Sequence, residues 1–372
     1  MPTDEALRAR IIANPGTWLV TGAAGFIGSN LLEALLELDQ RVIGFDNFAT
    51  GSPENLAEVE RAVGRARWGR LQFIEGDIRS PVECREACRS VRYVLHQAAL
   101  GSVPQSIEDP LAYHASNVTG FLNLQLAARD AGVSRFVYAS SSATYGDHPG
   151  LPQQEPHIGQ PLSPYGLTKY VDELYAELFA RCYGTGSIGL RYFNVFGPRQ
   201  DPQGAYAAVI PQWVARLIRG EPVHINGDGR TARDFCYVAN VVQANLRAAT
   251  VDDPAAVNQV YNIALGEMTT LSQLYATLRE LLAPRHPHLR DSRPEHRDFR
   301  PGDVPLSQAD IGKAMRLLGY RPQWRLREGL ARAIDWYAGS LPAPRAAAGD
   351  WPNLQADTQA SRSSGTQYLR AM

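Results

Sequence analysis

The sequence predicts an α/β fold with a doubly wound parallel sheet and a smaller mixed α/β domain on its C-terminal side. Short apolar strands alternate with helical segments from residue 17 to about residue 200. The first strand runs into a glycine-rich turn, and the second ends at an acid, Asp46. From about residue 201 the alternation stops and segments rich in Pro and Gly begin. The first two observations are typical of a Rossmann-type nucleotide-binding half, and the third marks a second domain.

The composition is that of an ordinary globular chain. Its 372 residues are 44% hydrophobic and 20% charged, and the formal net charge is -1. This balance supplies no basic field for nucleic acid or for an anionic membrane surface. No apolar run approaches the roughly 20 residues that span a bilayer, and the start of the chain is polar. We therefore expect a cytoplasmic protein without nucleic-acid or membrane partners.

Cysteine and histidine give no sign of a metal or redox centre. The eight histidines show no metal-ligand spacing, so no metal site is predicted. The four cysteines are predicted to be reduced packing residues: Cys84, Cys88, Cys182 and Cys236.

Four parts are predicted along the chain. They are an N-terminal helical extension (1–16), an NAD-binding Rossmann domain (17–200, with returning segments about 235–265), a mainly substrate-binding domain (201–340) and a disordered tail (341–372). Strands are expected at 17–21, 41–45, 71–74, 91–96, 135–139 and 187–192. Later helices are expected at 206–220, 238–250, 270–283, 307–318 and 326–339.

The glycine-rich turn has the spacing Gly22-x-x-Gly25-x-x-Gly28. Glycines there let the backbone and the next helix N-terminus approach a pyrophosphate, and Asp46 can accept hydrogen bonds from the adenosine ribose. A purely structural turn would use the same glycines, but the strand-turn-helix-strand context favours dinucleotide binding. Because no arginine near Asp46 is placed to receive a 2′-phosphate, NAD is favoured over NADP.

Two further strand ends carry polar residues. Asp77-Ile78 follows the third predicted strand and Gln97-Ala98-Ala99 follows the fourth, at carboxyl ends where such sheets bind ligands. Asp77 can accept from an adenine amino group or serve as a helix N-cap.

Tyr165 and Lys169 are four positions apart in a predicted helix, which places their β carbons about 6 Å apart on one face. An ammonium group beside a phenol favours the phenolate and prepares it to act as a base. The same spacing is common on solvated helix faces. The serine run at 140–142 directly follows the predicted strand 135–139, so a serine hydroxyl and Tyr165 can converge on one substrate oxygen.

Jointly, these motifs resemble the extended short-chain dehydrogenase/reductase superfamily and, within it, the nucleotide-sugar 4-epimerases. The matching segments lie between about residues 17 and 340: 21–28, 46–47, 76–78, 96–99, 140–146, 165–169, 191–199, 233–235 and 300–303. The sequence is most similar to UDP-N-acetylglucosamine 4-epimerases of bacterial surface-polysaccharide pathways, which share an N-terminal helical extension and segments like 101–104 and 204–211.

This resemblance implies reversible, NAD-dependent epimerisation at C4 of a UDP-sugar through a 4-keto intermediate. Tyr165 would exchange a proton with sugar O4, Lys169 would hold the nicotinamide ribose, and a serine would hydrogen-bond O4. Counting back from Tyr145 selects Ser141 for that serine, whereas counting from the start of the run selects Ser142. We favour Ser141 as the O4 partner and Ser142 as a sugar contact.

The resemblance also implies two sets of binding residues. The NAD contacts are Gly22, Gly25, Phe26, Ile27, Gly28, Asp46, Asn47, Asp77, Ile78, Gln97, Ala98, Ala99, Asn117, Tyr165, Lys169, Tyr192, Asn194 and Val195. The substrate contacts are Gly101, Ser102, Ser141, Ser142, Tyr165, Asn194, Gln200, Ala208, Val209, Val223, His224, Ile225, Arg233, Arg300, Asp303 and Ser307. Among these, Arg233 and Arg300 would bind the diphosphate, Asp303 the uridine ribose, and residues 223–225 the uracil.

Two alternatives are related 4,6-dehydratases or decarboxylases and a non-catalytic NAD-sensing relative. The dehydratases place an Asp-Glu pair after the catalytic Ser or Thr, and the decarboxylases keep the glutamate. This chain has Ser142 and Ala143 there, so elimination lacks its acid and base. A sensor would be expected to lose Tyr165 or Lys169, and both are present.

Ser307 bears on the choice of sugar. Relatives restricted to glucose and galactose carry a tyrosine four positions after the residue equivalent to Asp303, whereas a serine leaves room for an N-acetyl group on C2. Ser307 can instead be read as a helix N-cap. By resemblance we also expect a homodimer formed through the helix of Tyr165 and the helix before it.

Overall fold

The centre of the fold is a seven-stranded parallel sheet. The structure is a computed structural model and describes residues 5–202, 208–299 and 305–341. The strands are β1 (Thr17–Thr21), β2 (Arg41–Asp46), β3 (Leu71–Glu75), β4 (Tyr93–His96), β5 (Arg135–Ser141), β6 (Ser187–Tyr192), β7 (Val195–Phe196), β8 (His224–Asn226), β9 (Ala232–Arg233), β10 (Cys236–Tyr237), β11 (Gln259–Ile263), β12 (Thr269–Thr270) and β13 (Glu295–Arg297).

Helices connect and flank these strands. They are α1 (Glu5–Ala13), α2 (Phe26–Glu37), α3 (Pro53–Val63), α4 (Arg65–Trp68), α5 (Pro81–Ala87), α6 (Val103–Glu108), α7 (Pro110–Tyr113), α8 (Gly120–Asp130), α9 (Pro164–Tyr183), α10 (Val209–Arg219), α11 (Val238–Thr250), α12 (Leu271–Leu282), α13 (Gly312–Leu317) and α14 (Leu326–Ser340). A π-helical turn (His114–Thr119) precedes α8, and a 3₁₀ turn (Ser142–Tyr145) follows β5.

The strand order in the sheet is β3-β2-β1-β4-β5-β6-β11, and every neighbouring pair is parallel. This is the doubly wound order, extended by β11 beyond β6, and it confirms the predicted fold class. The chain reverses its direction of winding between β1 and β4. At such a point the loops after the two strands diverge and leave a crevice at their carboxyl ends.

Apolar side chains cover both faces of the sheet, as a parallel sheet requires. On one face Leu31 and Leu35 of α2 share a buried cluster with Val242 and Leu246 of α11. On the other face α5, α8 and α9 supply a second cluster, which includes Phe121 of α8. The strands are therefore predominantly apolar along their length, which explains why they could be recognised from the sequence.

A third buried cluster lies among α10, α12 and α14, with members such as Trp213, Leu278 and Tyr337. The described residues up to Leu341 nevertheless form one unit by their contacts. The division into two domains near residue 200 stays a prediction.

The predicted helix at 307–318 is wrong over its first half, because α13 begins only at Gly312. Residues 305–307 instead run beside β9: Ala232 N donates to Pro305 O at 2.9 Å and Ser307 N donates to Ala232 O at 3.1 Å. Ser307 is therefore not a helix N-cap.

Smaller corrections concern the fourth strand and one cysteine. The fourth strand starts at Tyr93 and not at residue 91. Cys84, Cys88 and Cys236 are buried, but Cys182 is exposed and packs no core.

The predicted tail after residue 341 lies outside the described residues. Within the described part of the chain, no helix has both the length and the apolar character needed to cross a membrane.

Candidate active site

A cavity of about 1250 Å³ opens at the carboxyl ends of the sheet strands. Its walls include the residue that follows β1 (Gly22), the last residue of β2 (Asp46) and the residue that follows β4 (Gln97). The last residues of β5 and β6, Ser141 and Tyr192, complete this row. The cavity thus lies at the crevice that the winding of the sheet creates.

The glycine turn brings the N-terminus of α2 up to the cavity. Gly22 has φ of 66°, in the left-handed region that favours glycine. A Cβ on Gly28 would lie 1.9 Å from Gly22 O, so only glycine allows the helix to pack this closely on the turn. Gly25 is the N-cap and no side chain caps α2. The amides of the first turn of α2 are therefore available to an anion, and this geometry fits a pyrophosphate.

Asp46 stands at the end of β2, where it closes the turn. Its carboxylate accepts from Ala24 N at 2.9 Å and from Phe48 N at 2.8 Å. Burial raises the pKa of Asp46, and these backbone donors act in the opposite direction. A carboxylate has further acceptor sites beyond these two, which can accept from ribose hydroxyls.

Asp77 does not line the cavity. Its carboxylate is paired with Arg79 at 2.6 Å and also accepts from Asn47 Nδ2 at 3.0 Å. The hydrogen bond from Arg79 lowers the pKa of Asp77 to about 2. Nor does Asp77 cap α5, because Ser80 is the N-cap of that helix. The neighbouring Ile78, by contrast, is part of the cavity wall.

Asn117 is buried behind the cavity wall. Its side chain accepts from Leu100 N at 2.8 Å and donates to Leu100 O at 3.0 Å. It also donates to Thr168 Oγ1 at 3.1 Å. Asn117 therefore ties the loop after β4 to α9 and does not itself line the cavity.

Tyr192 and Gln97 form a hydrogen-bonded network in the cavity wall. The Tyr192 hydroxyl donates to Gln97 Oε1 at 3.0 Å and accepts from Asn245 Nδ2 at 2.9 Å. Burial raises the pKa of Tyr192, so this phenol stays neutral. Asn194, which also lines the cavity, donates to Asp234 O at 3.1 Å.

The first turn of α9 packs against the serine turn. Ser163 caps α9 by accepting from Gly166 N at 3.1 Å, and Pro164 occupies the first helical position. A Cβ on Gly166 would lie 2.7 Å from Ala143 O. This close approach places Tyr165, the second residue of α9, at the same cavity as the serines.

The three serines of the run have different surroundings. Ser140 also lines the cavity, but its hydroxyl is buried and donates to Glu173 Oε1 at 2.5 Å. Ser141 Oγ accepts from Ala143 N at 3.1 Å, which leaves its hydroxyl proton available. No hydrogen bond engages the Ser142 hydroxyl within the described residues. Both Ser141 and Ser142 line the cavity.

Tyr165 and Lys169 both line the cavity from α9. The rings of Tyr113 and Tyr165 pack edge to face, with centroids 6.4 Å apart. Lys169 is buried, and its Nζ lies 3.5 Å from Asp172 Oδ2.

Most of the predicted site residues converge on the cavity. Those that line it are Gly22, Gly25, Phe26, Ile27, Gly28, Asp46, Asn47, Ile78, Gln97, Ala98, Ala99, Gly101, Ser102, Ser141, Ser142, Tyr165, Lys169, Tyr192, Asn194, Val195, Gln200, Ala208, Arg233 and Ser307.

The structure does not bring every predicted residue to the cavity. Val209 begins α10 and does not line it. Residues 223–225, predicted for uracil, are also away from the wall: Val223 and Ile225 are buried in the cluster of α10 and α12, and His224 pairs with Glu295. Arg300 and Asp303 lie outside the described residues.

Gln153 is a cavity residue that the sequence analysis missed. Its Oε1 lies 3.4 Å from Ser307 Oγ, and its side chain is 5% exposed. No local motif marks this glutamine, because the loop that carries it is positioned by contacts with residues more than 150 positions away.

The cavity of this Rossmann sheet joins a glycine turn, a serine turn and a Tyr-x-x-x-Lys helix. Together these features define an NAD-dependent enzyme of the short-chain dehydrogenase/reductase class. The sequence model of the NAD dependent epimerase/dehydratase family matches residues 18–264. The chain belongs to this family.

Comparison with known proteins agrees. The chain is 37% identical over 320 residues to a putative UDP-glucose 4-epimerase of Methanocaldococcus jannaschii, an alignment that spans 86% of this chain and 97% of that one. The UDP-glucose 4-epimerase of Thermotoga maritima with UDP-glucose has 37% identity and a TM-score of 0.79 over 88% of this chain and 100% of that one. The UDP-N-acetylglucosamine 4-epimerase of Methanobrevibacter ruminantium in complex with UDP-N-acetylmuramic acid has 34% identity and a TM-score of 0.80, over 88% and 99% of the two chains.

Proposed function

We propose that the protein is a UDP-sugar 4-epimerase that interconverts UDP-GlcNAc and UDP-GalNAc, and that turns over UDP-glucose and UDP-galactose less efficiently. The observation that carries this proposal is the meeting of Ser141, Ser142, Tyr165 and Lys169 in a cavity whose other wall holds the small Ser307.

The proposed chemistry divides between cofactor and side chains. The cofactor site would hold NAD, which would supply hydride transfer to and from C4. Tyr165 takes the proton of the 4-hydroxyl as the ketone forms and gives it back to O4 after the 4-keto sugar has turned over. Ser141 donates to O4 in both orientations, with Ser142 beside it as a sugar contact. Lys169 supplies positive charge that favours the phenolate, and it holds the nicotinamide ribose.

The same cavity gives less support to dehydration or decarboxylation. The wall between Ser142 and the first turn of α9 is formed by Ala143, whose methyl group can neither protonate O6 nor take a proton from C5. For the 4-keto sugar, the cavity therefore favours return of the hydride over elimination.

The residues around Ser307 also indicate whether the bound sugar is neutral or charged. Ser307, Gln153, Asn194, Gln200 and Ala208 are all uncharged residues of the cavity lining. Against these five side chains a uronic carboxylate would find hydrogen-bond donors but no positive charge, so the cost of burying it would be less fully compensated than beside a cation. We therefore favour neutral sugars, with the acetamido group of C2 beside Ser307.

We propose that the diphosphate is bound by Arg233. This arginine lines the cavity, and its Nη1 donates to Ala232 O at 3.1 Å and Pro305 O at 3.2 Å. Those bonds hold the guanidinium at the cavity wall, and a guanidinium suits a diphosphate because its planar donors match phosphate oxygens in pairs. Arg300 and Asp303 remain predicted contacts for the diphosphate and uridine ribose.

We also propose a homodimer through the outer face of α9. Leu167, Leu174 and Leu178 are spaced to lie on one side of this helix, and they are 51%, 46% and 42% exposed. Three exposed leucines on one helix form an apolar surface that a second copy can bury. Light scattering should give the mass of a dimer, and Leu174→Glu should give the mass of a monomer.

The deciding experiment is a substrate assay. Purified protein is incubated with UDP-GlcNAc, UDP-glucose or UDP-glucuronic acid, the products are separated, and the bound NAD is measured in the same preparation. We expect a mixture of UDP-GlcNAc and UDP-GalNAc and slower conversion of UDP-glucose. A product that has lost its C6 oxygen, or no conversion of any sugar by protein that contains NAD, would overturn the proposal.

A further inference from the structure

Asp172 and Lys169 form an ion pair that is shut off from solvent. Lys169 Nζ lies 3.5 Å from Asp172 Oδ2, and the two side chains are 3% and 1% exposed. The second oxygen, Asp172 Oδ1, is buried and has no hydrogen-bond partner within the described residues. Burying a carboxylate with one unsatisfied oxygen costs stability, so its presence beside a candidate catalytic group calls for a functional reason.

The adjacent acid provides a contrast. Glu173 binds Arg191 through both carboxylate oxygens, at 2.9 and 2.7 Å, and also accepts from Ser140. Its charge and its acceptor sites are thus satisfied by β5 and β6. Asp172, one position earlier, is paired with Lys169 through Oδ2.

Two other buried titratable groups near this pair, one on β4 and one on β5, are neutral. His96 of β4 is fully buried, and burial together with the charge of Lys169 lowers its pKa to about 3. Burial raises the pKa of Tyr138 of β5 well above its usual value. The charge that acts on Tyr165 from this side is therefore the sum of Lys169 and Asp172, since the charge of Glu173 is compensated by Arg191.

We propose that Asp172 is a positioning residue that holds the Lys169 ammonium group at the cavity and partly cancels its charge, thereby setting the pH range in which Tyr165 can act as the base. This proposal rests on the roles proposed above for Tyr165 and Lys169. It deepens them by assigning the counter-charge to a residue that contacts neither substrate nor cofactor.

The sign of the effect follows from the charges. With Asp172 ionised, the pair is neutral overall and favours the phenolate weakly. With Asp172 protonated, the ammonium charge acts in full. Burial raises the pKa of Asp172 and the charge of Lys169 lowers it, so the effect on Tyr165 is confined to the pH range in which Asp172 is ionised. Removing its charge permanently should make Tyr165 competent at lower pH.

The test is the variant Asp172→Asn, which keeps the shape and an oxygen acceptor for Lys169 but has no charge. We expect the rising limb of the kcat/KM profile against pH to move to lower pH by the order of one unit, as expected for removing one charge about one helical turn away. The tyrosinate absorption that Tyr165→Phe abolishes should shift with it. Asp172→Ala, which also removes the acceptor, should in addition lower kcat.

The matched control is Glu177→Gln, which removes a carboxylate from the exposed side of the same helix. Its pH profile should equal that of the unaltered protein. If Asp172→Asn is folded and retains NAD but has an unshifted profile and an unshifted tyrosinate absorption, the proposal is wrong. If the roles proposed for Tyr165 and Lys169 are themselves wrong, the result is different, because Tyr165→Phe or Lys169→Met would then keep full activity.

Discussion

The hydroxyl of Ser307 lies 3.4 Å from the amide oxygen of Gln153, and both side chains line the cavity. The backbone of Gln153 is held on two sides, since its N donates to Gln308 O at 2.7 Å and its O accepts from Asp310 N at 2.9 Å. Ser307 itself is paired with β9. These bonds give a rigid wall at the place proposed for the C2 substituent of the sugar.

Enlarging this wall should change the substrate range. Ser307→Tyr inserts a ring where the side chain is 9% exposed, and overfilling of this kind typically costs 1–3 kcal/mol. We expect kcat/KM for UDP-GlcNAc to fall by at least about tenfold relative to UDP-glucose. Ser307→Ala is the control that keeps the space, and it should retain the preference. Equal turnover of the N-acetylated sugar by the tyrosine variant would contradict the argument from size.

Gln153 should contribute a hydrogen bond to the bound sugar. No hydrogen bond engages its Nε2 within the described residues, so this donor is available to a ligand oxygen. Loss of one such bond is worth about 0.5–1.5 kcal/mol, so Gln153→Ala should raise the KM for UDP-GlcNAc about two- to tenfold with a smaller effect on kcat. The exposed neighbour Gln154, which does not line the cavity, provides the control Gln154→Ala. A KM unchanged in Gln153→Ala would remove this contact from the proposal.

Tyr165→Phe should strongly reduce turnover without preventing binding. The variant keeps the ring that packs against Tyr113 but has no hydroxyl to exchange a proton with O4. Because general acid-base catalysis contributes about 10²–10⁴-fold, kcat should fall by this factor, while calorimetric binding of UDP stays near that of the unaltered protein. Tyr170→Phe, on the same helix and outside the cavity lining, should behave like the unaltered protein.

Asp234 should make stability depend on pH. Its carboxylate accepts from Leu265 N and Gly266 N at 2.9 Å and from Ala309 N at 3.3 Å, yet burial raises its pKa to about 6. A carboxyl with a raised pKa binds its proton more tightly in the folded state. Its contribution to the free energy of unfolding is therefore full below about pH 4 and is lost as the pH rises to about 6.

The measurement is urea unfolding between pH 4 and pH 6 for the unaltered protein and for Asp234→Asn. The loss of stability across this range should be smaller in the variant, by at most about 3 kcal/mol. The variant should also be less stable at neutral pH by about 1–3 kcal/mol, because an amide nitrogen faces backbone donors. Parallel pH dependences in the two proteins would show that Asp234 does not titrate in this range.

Features with a local physical cause were predictable from the sequence. The left-handed conformation of Gly22 and the close contact of Gly28 with it both arise within one short turn. Because such a turn requires glycine at these positions, the glycine spacing in the sequence predicts it. Apolar runs such as residues 187–192 mark strands that are buried on both faces. Tyr165 and Lys169 share a helix face because of helical periodicity alone.

Other features depended on which distant segments meet. Asp77 looks available for a ligand in the sequence, but its carboxylate is paired with Arg79 and Asn47 and does not line the cavity. The run at 223–225 looks like a ligand edge, but α10 and α12 bury it. Ser307 looks like a helix N-cap, but pairing with β9 keeps its segment extended.

By itself, then, the sequence determined the doubly wound sheet, the glycine turn for the dinucleotide and the pairing of Tyr165 with Lys169, because each follows from neighbours in the chain. Only the tertiary structure decided that Gln153 meets Ser307, 154 positions away, and that Asp172 is buried against Lys169 with one oxygen unsatisfied. The physical reason is that burial and partner choice are set by the packing of whole elements against each other, which no local pattern encodes.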